Sequence, residues 1–252
     1  MAVARHALEG VVNLAKYPLH NPEGLQTLCA TARQKFLETG LVTFPQFLLD
    51  DAAEQAVSES RARVPDAFES VQRHNAFLLG DADPEFDKDH IRNRQLTTQV
   101  ASVAYDELPP QGILRSLYES PEMVALVGGV VLGQAAIRKS GGLHRLADPL
   151  GACSINVFRP GRFHDWHFDE SEFTTTLCLQ PAKEGHGGHF LYSYVLCLLV
   201  AISSAALMSC ASSEYFENKM NFYFETLTSA DASCVSTCLR CPLQHLLLFL
   251  SK

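Results

Sequence analysis

Residues 156–169 read NVFRPGRFHDWHFD, and the end of this stretch decides how the fold and the chemistry of the chain are interpreted. Side chains two positions apart on a strand point to the same face, so we expect His167 and Asp169 to direct an imidazole nitrogen and a carboxylate oxygen at one point. Such a pair is two thirds of the facial triad that holds Fe(II) while leaving coordination positions open. The third ligand must then come from another strand.

The beginning of the stretch places two more side chains beside this pair. Asn156 and Phe158 are expected to share one face of the preceding strand, and Pro160-Gly161 supplies the turn that follows. A bare His-x-Asp pattern also arises by chance, so a surface hairpin with a hydrated histidine and aspartate is the alternative. The longer spacing Asn-x-aromatic-x-x-Gly-x5-His-x-Asp, which includes Trp166, the one tryptophan of the chain, favours the metal pocket.

At this point the sequence resembles a known family. Residues 147–190, ADPLGACSINVFRPGRFHDWHFDESEFTTTLCLQPAKEGHGGHF, look like the metal-binding half of the non-haem Fe(II)/2-oxoglutarate-dependent oxygenases. Within them, WHFDESEFTTTLCLQPA (166–182) is similar to the branch that hydroxylates or halogenates free amino acids. The resemblance implies an α+β fold in which a helical N-terminal half packs on a double-stranded β-helix, or jelly roll.

The resemblance also implies roles for individual residues and two cofactors, Fe(II) and 2-oxoglutarate. The iron ligands would be His167 and Asp169, the 2-oxoglutarate contacts Asn156 and Phe158, and the substrate contacts His164, Trp166 and Glu170. Phe158 stands where many relatives have a tyrosine, and for Trp166 an ordinary core position is the alternative. Halogenating relatives replace the carboxylate ligand with glycine. Because Asp169 is retained, hydroxylation of a small molecule, such as an amino acid, is the expected activity.

Local patterns predict the elements around this stretch. Helical spacing or capping residues predict helices over 22–38, 50–62 (with Asp50 and Asp51 as caps) and 120–132, and β-branched and aromatic residues predict strands within 40–48, 154–161 and 173–182. Residues 81–92 are predicted to form a surface loop. Their alternating aspartates are compatible with a calcium loop, although Phe86 and Arg92 stand where that loop needs glycine and glutamate.

The composition changes abruptly near residue 190. All 15 glycines precede this point, whereas five of the eight cysteines follow it. We therefore divide the chain into an N-terminal extension (1–21), a truncated oxygenase-like domain (22–190) and an apolar, cysteine-rich tail (191–252). The tail matches neither the family's distal histidine nor its 2-oxoglutarate-binding arginine, so the jelly roll is expected to be incomplete and the activity impaired. After Asp169 the histidines are His186, His189 and His245, and the one arginine is Arg240. His186 and His189 lie too close to Asp169 and His245 follows Arg240, the reverse of the family's order, so none of them fills either role.

Three interpretations of the tail remain open. Residues 190–213 carry no charge and are long enough for a single membrane span, although Ser, Ala and Cys dilute their hydrophobicity. Cys234, Cys238, Cys241 and His245 have side chains of the types that bind zinc, but structural zinc sites usually separate two ligand pairs by a dozen residues or more. A helical stripe of buried small side chains is therefore the favoured interpretation. The preferred hypothesis is that the tail is translated non-coding or alternatively spliced sequence.

Length and charge limit the remaining functional classes. With 252 residues and 47% hydrophobic content the chain can bury a large core, and it is not a wholly disordered protein. A net charge of -8 disfavours a nucleic-acid partner. No apolar run follows a basic start in residues 1–16, so we expect no cleaved leader and a cytoplasmic location. The sequence leaves open an oxygenase, a non-catalytic binding protein on a partial jelly roll, and a single-span membrane protein; it does not indicate the oligomeric state.

Overall fold

A computed structural model describes residues 7–169, 173–180, 190 and 246–250. These residues combine α-helices with antiparallel sheet, which confirms the mixed α and β class. In chain order the elements are α1 (Pro22–Thr39), β1 (Leu41–Phe44), α2 (Asp50–Arg63), β2 (Phe68–His74), β3 (Leu96–Val103), α3 (Ile113–Glu119), α4 (Pro121–Val131), α5 (Gln134–Ser140), β4 (Ile155–Val157), β5 (Phe173–Leu177) and β6 (Leu246–Leu250). Short 3-10 turns lie at Val64–Asp66, Ile91–Asn93 and Tyr105–Glu107.

Helix α1 begins and ends where its sequence predicts. The Asn21 side chain accepts hydrogen bonds from the backbone N–H groups of Glu23 and Gly24, both at 3.0 Å, and Pro22 occupies the first turn. At the other end Gly40 adopts a left-handed conformation with φ 71° and donates to the Phe36 carbonyl. These two caps confirm the predicted helix over 22–38.

The other two predicted helices also form, but one of them is capped differently from the prediction. Helix α2 has Leu49 at its N-cap, without a side-chain hydrogen bond, so the prediction that Asp50 and Asp51 cap it is wrong. Both aspartates lie in the first turn, where their charges favour the positive end of the helix dipole. Helix α4 is capped by Ser120, whose hydroxyl accepts from the Met123 N–H at 3.3 Å.

The buried core lies between the helices and strand β1. Helices α1 and α4 approach so closely that a Cβ atom added at Gly129 would lie 2.4 Å from the Cys29 Sγ, which explains the need for glycine there. The largest fully buried side chains of this cluster are Leu8, Val12, Phe47, Leu48, Leu126 and Val130.

The six described strands form two separate antiparallel sheets. One has the order β1-β6-β5 and the other β2-β3-β4. Strands β1, β4 and β5 lie within segments predicted to be strands, whereas β2 and β3 were not predicted. A jelly roll contains eight strands in two sheets. With six described strands, the jelly roll stays a prediction.

Strand β6 comes from the tail yet lies in the middle of its sheet. Leu248 is opposite Val42 of β1 on one side and opposite Thr175 of β5 on the other. These five residues therefore share a sheet with strands from the 22–190 region. The four residues considered for zinc, His186, His189, Arg240 and all but the first residue of the 190–213 segment lie outside the described residues. Within the described part of the chain no single helix has the length and apolar character of a membrane span, and α4 and α5, which pass that test together, are bent by 112°.

The 81–92 segment is a loop, as predicted, and its own side chains organise it. Arg92 Nε donates to Asp83 Oδ2 at 2.9 Å, so a guanidinium offsets the charge of this carboxylate. The buried Asn93 side chain donates to the carbonyl oxygens of Asp83, Phe86 and Asp87. Arg92 therefore neutralises Asp83 at the position where a calcium loop needs its glutamate.

Candidate metal centre

The segment that carries His167 and Asp169, the predicted metal pair, continues alongside β3 after a tight turn. The Arg162 N–H donates to the Arg159 carbonyl at 2.9 Å, and Gly161 at the turn has φ 75°, a conformation that favours glycine. Beyond the turn, the Gln99 N–H of β3 donates to the Phe163 carbonyl at 2.8 Å. The predicted Pro160-Gly161 turn is thereby confirmed, and it returns the chain to the edge of the second sheet.

Three further hydrogen bonds fix the segment around His167. Asp165 Oδ2 accepts from the Thr97 N–H of β3 at 3.3 Å, while its Oδ1 accepts from the Trp166 N–H at 2.9 Å. On the other side, the Phe168 N–H donates to the Ala76 carbonyl at 2.8 Å. The backbone of 161–169 is irregular rather than the expected strand, so hydrogen bonds to neighbouring elements, not strand periodicity, hold the metal pair in place.

His167 and Asp169 nevertheless converge. The Nε2 of His167 lies 3.0 Å from the Oδ1 of Asp169. The Nδ1 of His167 lies 2.6 Å from the carbonyl oxygen of Asp165, which only accepts hydrogen bonds, so Nδ1 carries a proton. The electron pair of Nε2 then faces a carboxylate oxygen. Two electron-rich atoms at this distance repel each other unless a cation, either a proton or a metal ion, lies between them.

The carboxylate of Asp169 is oriented from the opposite side. Thr174, on β5, donates its hydroxyl to Asp169 Oδ2, which leaves Oδ1 directed at His167. Both members of the pair thus have their second polar atom held by a neighbour. This is the arrangement that outer hydrogen bonds produce around metal ligands.

Two more imidazoles surround the pair. His74, at the end of β2, is 2% exposed and its ring centroid lies 6.3 Å from that of His167. Its nitrogens lie 2.8 Å from the Asn75 carbonyl and 2.8 Å from the Thr98 hydroxyl. His164 packs its ring edge-on, at 5.5 Å from His167 and 5.3 Å from Phe158. The described residues therefore place three histidines and one aspartate together.

Charges, hydrogen bonds and burial within this cluster shift the pKa values of its side chains. The hydrogen bond with Asp169 raises the pKa of His167 and outweighs the opposing effect of burial. Burial alone would raise the pKa of Asp169, but the hydrogen bonds from His167 and Thr174 lower it overall. Partial burial, together with the neighbouring His167, lowers the pKa of His164. Without a metal, both shifts favour the charged forms, an imidazolium facing a carboxylate.

The other predicted site residues differ from this pair in their exposure and in their partners. Asn156, on β4, is exposed and its Oδ1 accepts from the Ser102 hydroxyl at 3.1 Å, so its described partner is the sheet rather than the metal pair. Phe158 is 54% exposed and reaches the cluster through His164. Trp166 is half-buried, and Glu170 lies outside the described residues.

Sequence reasoning missed three residues that shape the centre: His74, Asp165 and Thr174. His74 lies in a region without a motif, and no sequence signal indicates its proximity to His167. Asp165 lies within residues 156–169 and Thr174 lies just after them. Because metal ligands usually have hydrogen-bonded neighbours, polar residues this close to His167 and Asp169 in sequence could have been predicted to orient them. Among the described residues, no group of three donors already converges on a single point.

Comparison with known proteins adds no assignment. No family model matches the chain, and neither a curated protein nor a solved structure matches it at a significant level.

Proposed function

We propose that the chain binds Fe(II) through His167 and Asp169 as part of a 2-oxoglutarate-dependent oxygenase site that hydroxylates a small molecule, such as a free amino acid. The observation that carries this proposal is the approach of His167 Nε2 and Asp169 Oδ1 to 3.0 Å while their other polar atoms are held by Asp165 and Thr174. This geometry suits a cation, either a proton or a metal ion, shared by the two atoms.

The spacing of the two donor atoms suits a metal ion. Two ligands about 2.1 Å from one ion, on adjacent positions of an octahedron, have donor atoms about 3.0 Å apart. Imidazole nitrogen and carboxylate oxygen are also the donor types of the Fe(II) facial triad. When bound, iron supplies the oxygen chemistry of the reaction, and the protein supplies orientation and exclusion of water.

The chain's own residues provide further groups for the cosubstrate and the substrate. The Oδ1 of Asn156 is occupied by Ser102, and within the described chain the amide NH2 group has no acceptor, so it is available to donate to a carboxylate of 2-oxoglutarate. Phe158, whose ring packs edge-on against His164, would supply an apolar wall. The resemblance assigns Trp166 and Glu170 to the substrate. The family's distal histidine and arginine have no match in this chain, so we expect low turnover.

Titration of the full-length protein with Fe(II) under anaerobic conditions, followed by measurement of succinate formed from 2-oxoglutarate, tests this proposal. We expect His167→Ala and Asp169→Ala each to weaken Fe(II) binding at least tenfold, because each removes a donor. His144→Ala, which changes an exposed histidine of the loop after α5, is the matched control. Unchanged Fe(II) affinity in both site variants would refute the proposal. Tight Fe(II) binding without succinate would instead support a non-catalytic binding protein.

A further inference from the structure

The metal pair needs a third protein donor, and two histidines of the described chain are near enough to be considered. With metal–nitrogen bonds of about 2.1 Å, the centroids of two imidazoles on adjacent coordination positions lie roughly 4.5–5.5 Å apart. The ring of His164 lies 5.5 Å from His167, at the upper end of that range, whereas the ring of His74 lies 6.3 Å away, beyond it.

Hydrogen bonding separates the two candidates further. His74 is buried, and both of its nitrogens have partners, the Asn75 carbonyl and the Thr98 hydroxyl. Recruiting His74 to a metal would break the bond to Thr98 in a packed environment. His164 is exposed, and its ring nitrogens make no hydrogen bond within the described part of the chain. Turning its ring therefore sacrifices only its edge-on contacts with Phe158 and His167.

We infer that His164 is the third protein ligand, so that the segment 164–169 alone supplies two imidazoles and one carboxylate to a divalent cation. This inference rests on the proposed function and gives His164 a metal role instead of the substrate contact that the resemblance implies. A ligand set of His164, His167 and Asp169 needs no histidine from the tail. It also keeps the two-imidazole, one-carboxylate composition of the Fe(II) site.

The site closes by a local rearrangement. The three donors do not yet meet at one point in the described structure, so the His164 side chain must rotate toward the gap between His167 and Asp169. The other two donors stay where they are, because Asp165, Thr174 and the Phe168–Ala76 backbone hydrogen bond hold them. His74 then packs against the His167 ring and fixes its orientation without binding the ion.

Co(II) binding to the full-length protein provides a test that does not depend on turnover. Calorimetry measures the affinity, and the visible absorption bands of Co(II) report its coordination. We expect His164→Ala to lower Co(II) affinity at least tenfold and to change the absorption spectrum, and free imidazole to restore that spectrum by occupying the vacated position. His144→Ala, and a combined His186→Ala, His189→Ala, His245→Ala variant, are expected to bind like the unmodified chain.

The outcomes distinguish this inference from the proposed function. If His164→Ala binds Co(II) normally while His167→Ala and Asp169→Ala do not, the proposed function stands and His164 is not the third ligand. The same conclusion follows if the combined variant of His186, His189 and His245 loses affinity and His164→Ala does not. If His167→Ala and Asp169→Ala also bind normally, both proposals fail. Because His164 is exposed, its replacement should leave the thermal unfolding midpoint unchanged, which excludes loss of folding as the cause of weakened binding.

Discussion

At the scale of single residues, the candidate centre is defined by the neighbours that hold its donors as much as by the donors. Asp165 fixes the proton on His167 Nδ1, and Thr174 occupies the second oxygen of Asp169. Neither residue would be bound to the ion. Both determine where the electron pairs of the ligands point, which is why metal affinity is sensitive to such neighbours.

Replacing Thr174 tests this orienting role. Thr174→Val keeps the shape of the side chain but removes the hydroxyl donor, so the Asp169 carboxylate gains freedom to rotate. We expect Fe(II) or Co(II) affinity to fall about tenfold or more, as measured by calorimetry. Thr174→Ser, which retains the hydroxyl, should bind nearly normally, and Thr175→Val at the exposed neighbouring position is the control. Equal affinity for Thr174→Val and the unmodified chain would show that the hydroxyl does not orient the carboxylate.

Tyr17 gives a prediction about stability and pH. Its hydroxyl donates to the Pro45 carbonyl at 2.6 Å, and burial raises its pKa to about 12 from the ordinary value near 10. The folded state therefore holds the phenolic proton more tightly than the unfolded state. The resulting stabilisation, about 2 kcal/mol, is fully present below pH 10 and is lost as the pH rises toward 12.

Urea unfolding of the unmodified chain and Tyr17→Phe between pH 8 and pH 11.5 measures this contribution. Above about pH 10, the unmodified chain should lose stability more steeply than the variant, so the difference between the two should shrink. Parallel pH profiles across this range would contradict a tyrosine whose pKa is higher in the folded state than in the unfolded state.

At the scale of elements, strand β6 is the least expected feature, because it comes from a segment interpreted as unrelated to the domain. Leu248→Pro removes a backbone N–H from the central strand of the β1-β6-β5 sheet and should destabilise the protein by about 1–3 kcal/mol, because a backbone carbonyl loses its partner. Thermal or urea unfolding would show a lower midpoint. Ala135→Pro, in the first turn of α5 where proline is tolerated, should have a much smaller effect. If both variants unfold alike, the pairing of Leu248 with Val42 and Thr175 does not contribute to stability.

Elements with strong local signals could be predicted from sequence, and those that depend on distant partners could not. Helix α1 carries a capping asparagine, a first-turn proline and a terminal glycine, so its bounds follow from the chain alone. Strand β2, FESVQRH, is largely exposed and polar, so it lacks the apolar alternation that indicates a strand. Strand β6 pairs with partners far away in sequence, and no local pattern specifies that pairing.

The same distinction between local signals and distant partners applies to the candidate centre. The spacing of His167 and Asp169 predicted that they meet, and they do, although hydrogen bonds to β3 and Ala76 rather than a strand bring them together. The approach of His74 depends on how β2 ends beside the 161–169 segment. Such proximity arises from tertiary packing and has no signature in the sequence around His74.

At the scale of the whole molecule, the metal pair lies where the chain passes from one sheet to the other. His167 packs against His74 of the β2-β3-β4 sheet, while Asp169 accepts a hydrogen bond from Thr174 of the β1-β6-β5 sheet. An ion held by both residues would therefore link the two sheets directly. The same junction explains why a short segment can combine contacts from elements that are distant along the chain.

The sequence separations of the paired strands predict an order of assembly for the two sheets. About 20 residues connect β2 to β3, whereas about 70 residues connect β5 to β6. Closing the longer loop costs roughly 1 kcal/mol more in chain entropy. We therefore expect the β2-β3-β4 sheet to form early in the folding reaction and the β1-β6-β5 sheet to form late. Until it does, β1 and β5 present open edges to the solvent, and this interval is when the nascent protein is most exposed to intermolecular strand exchange.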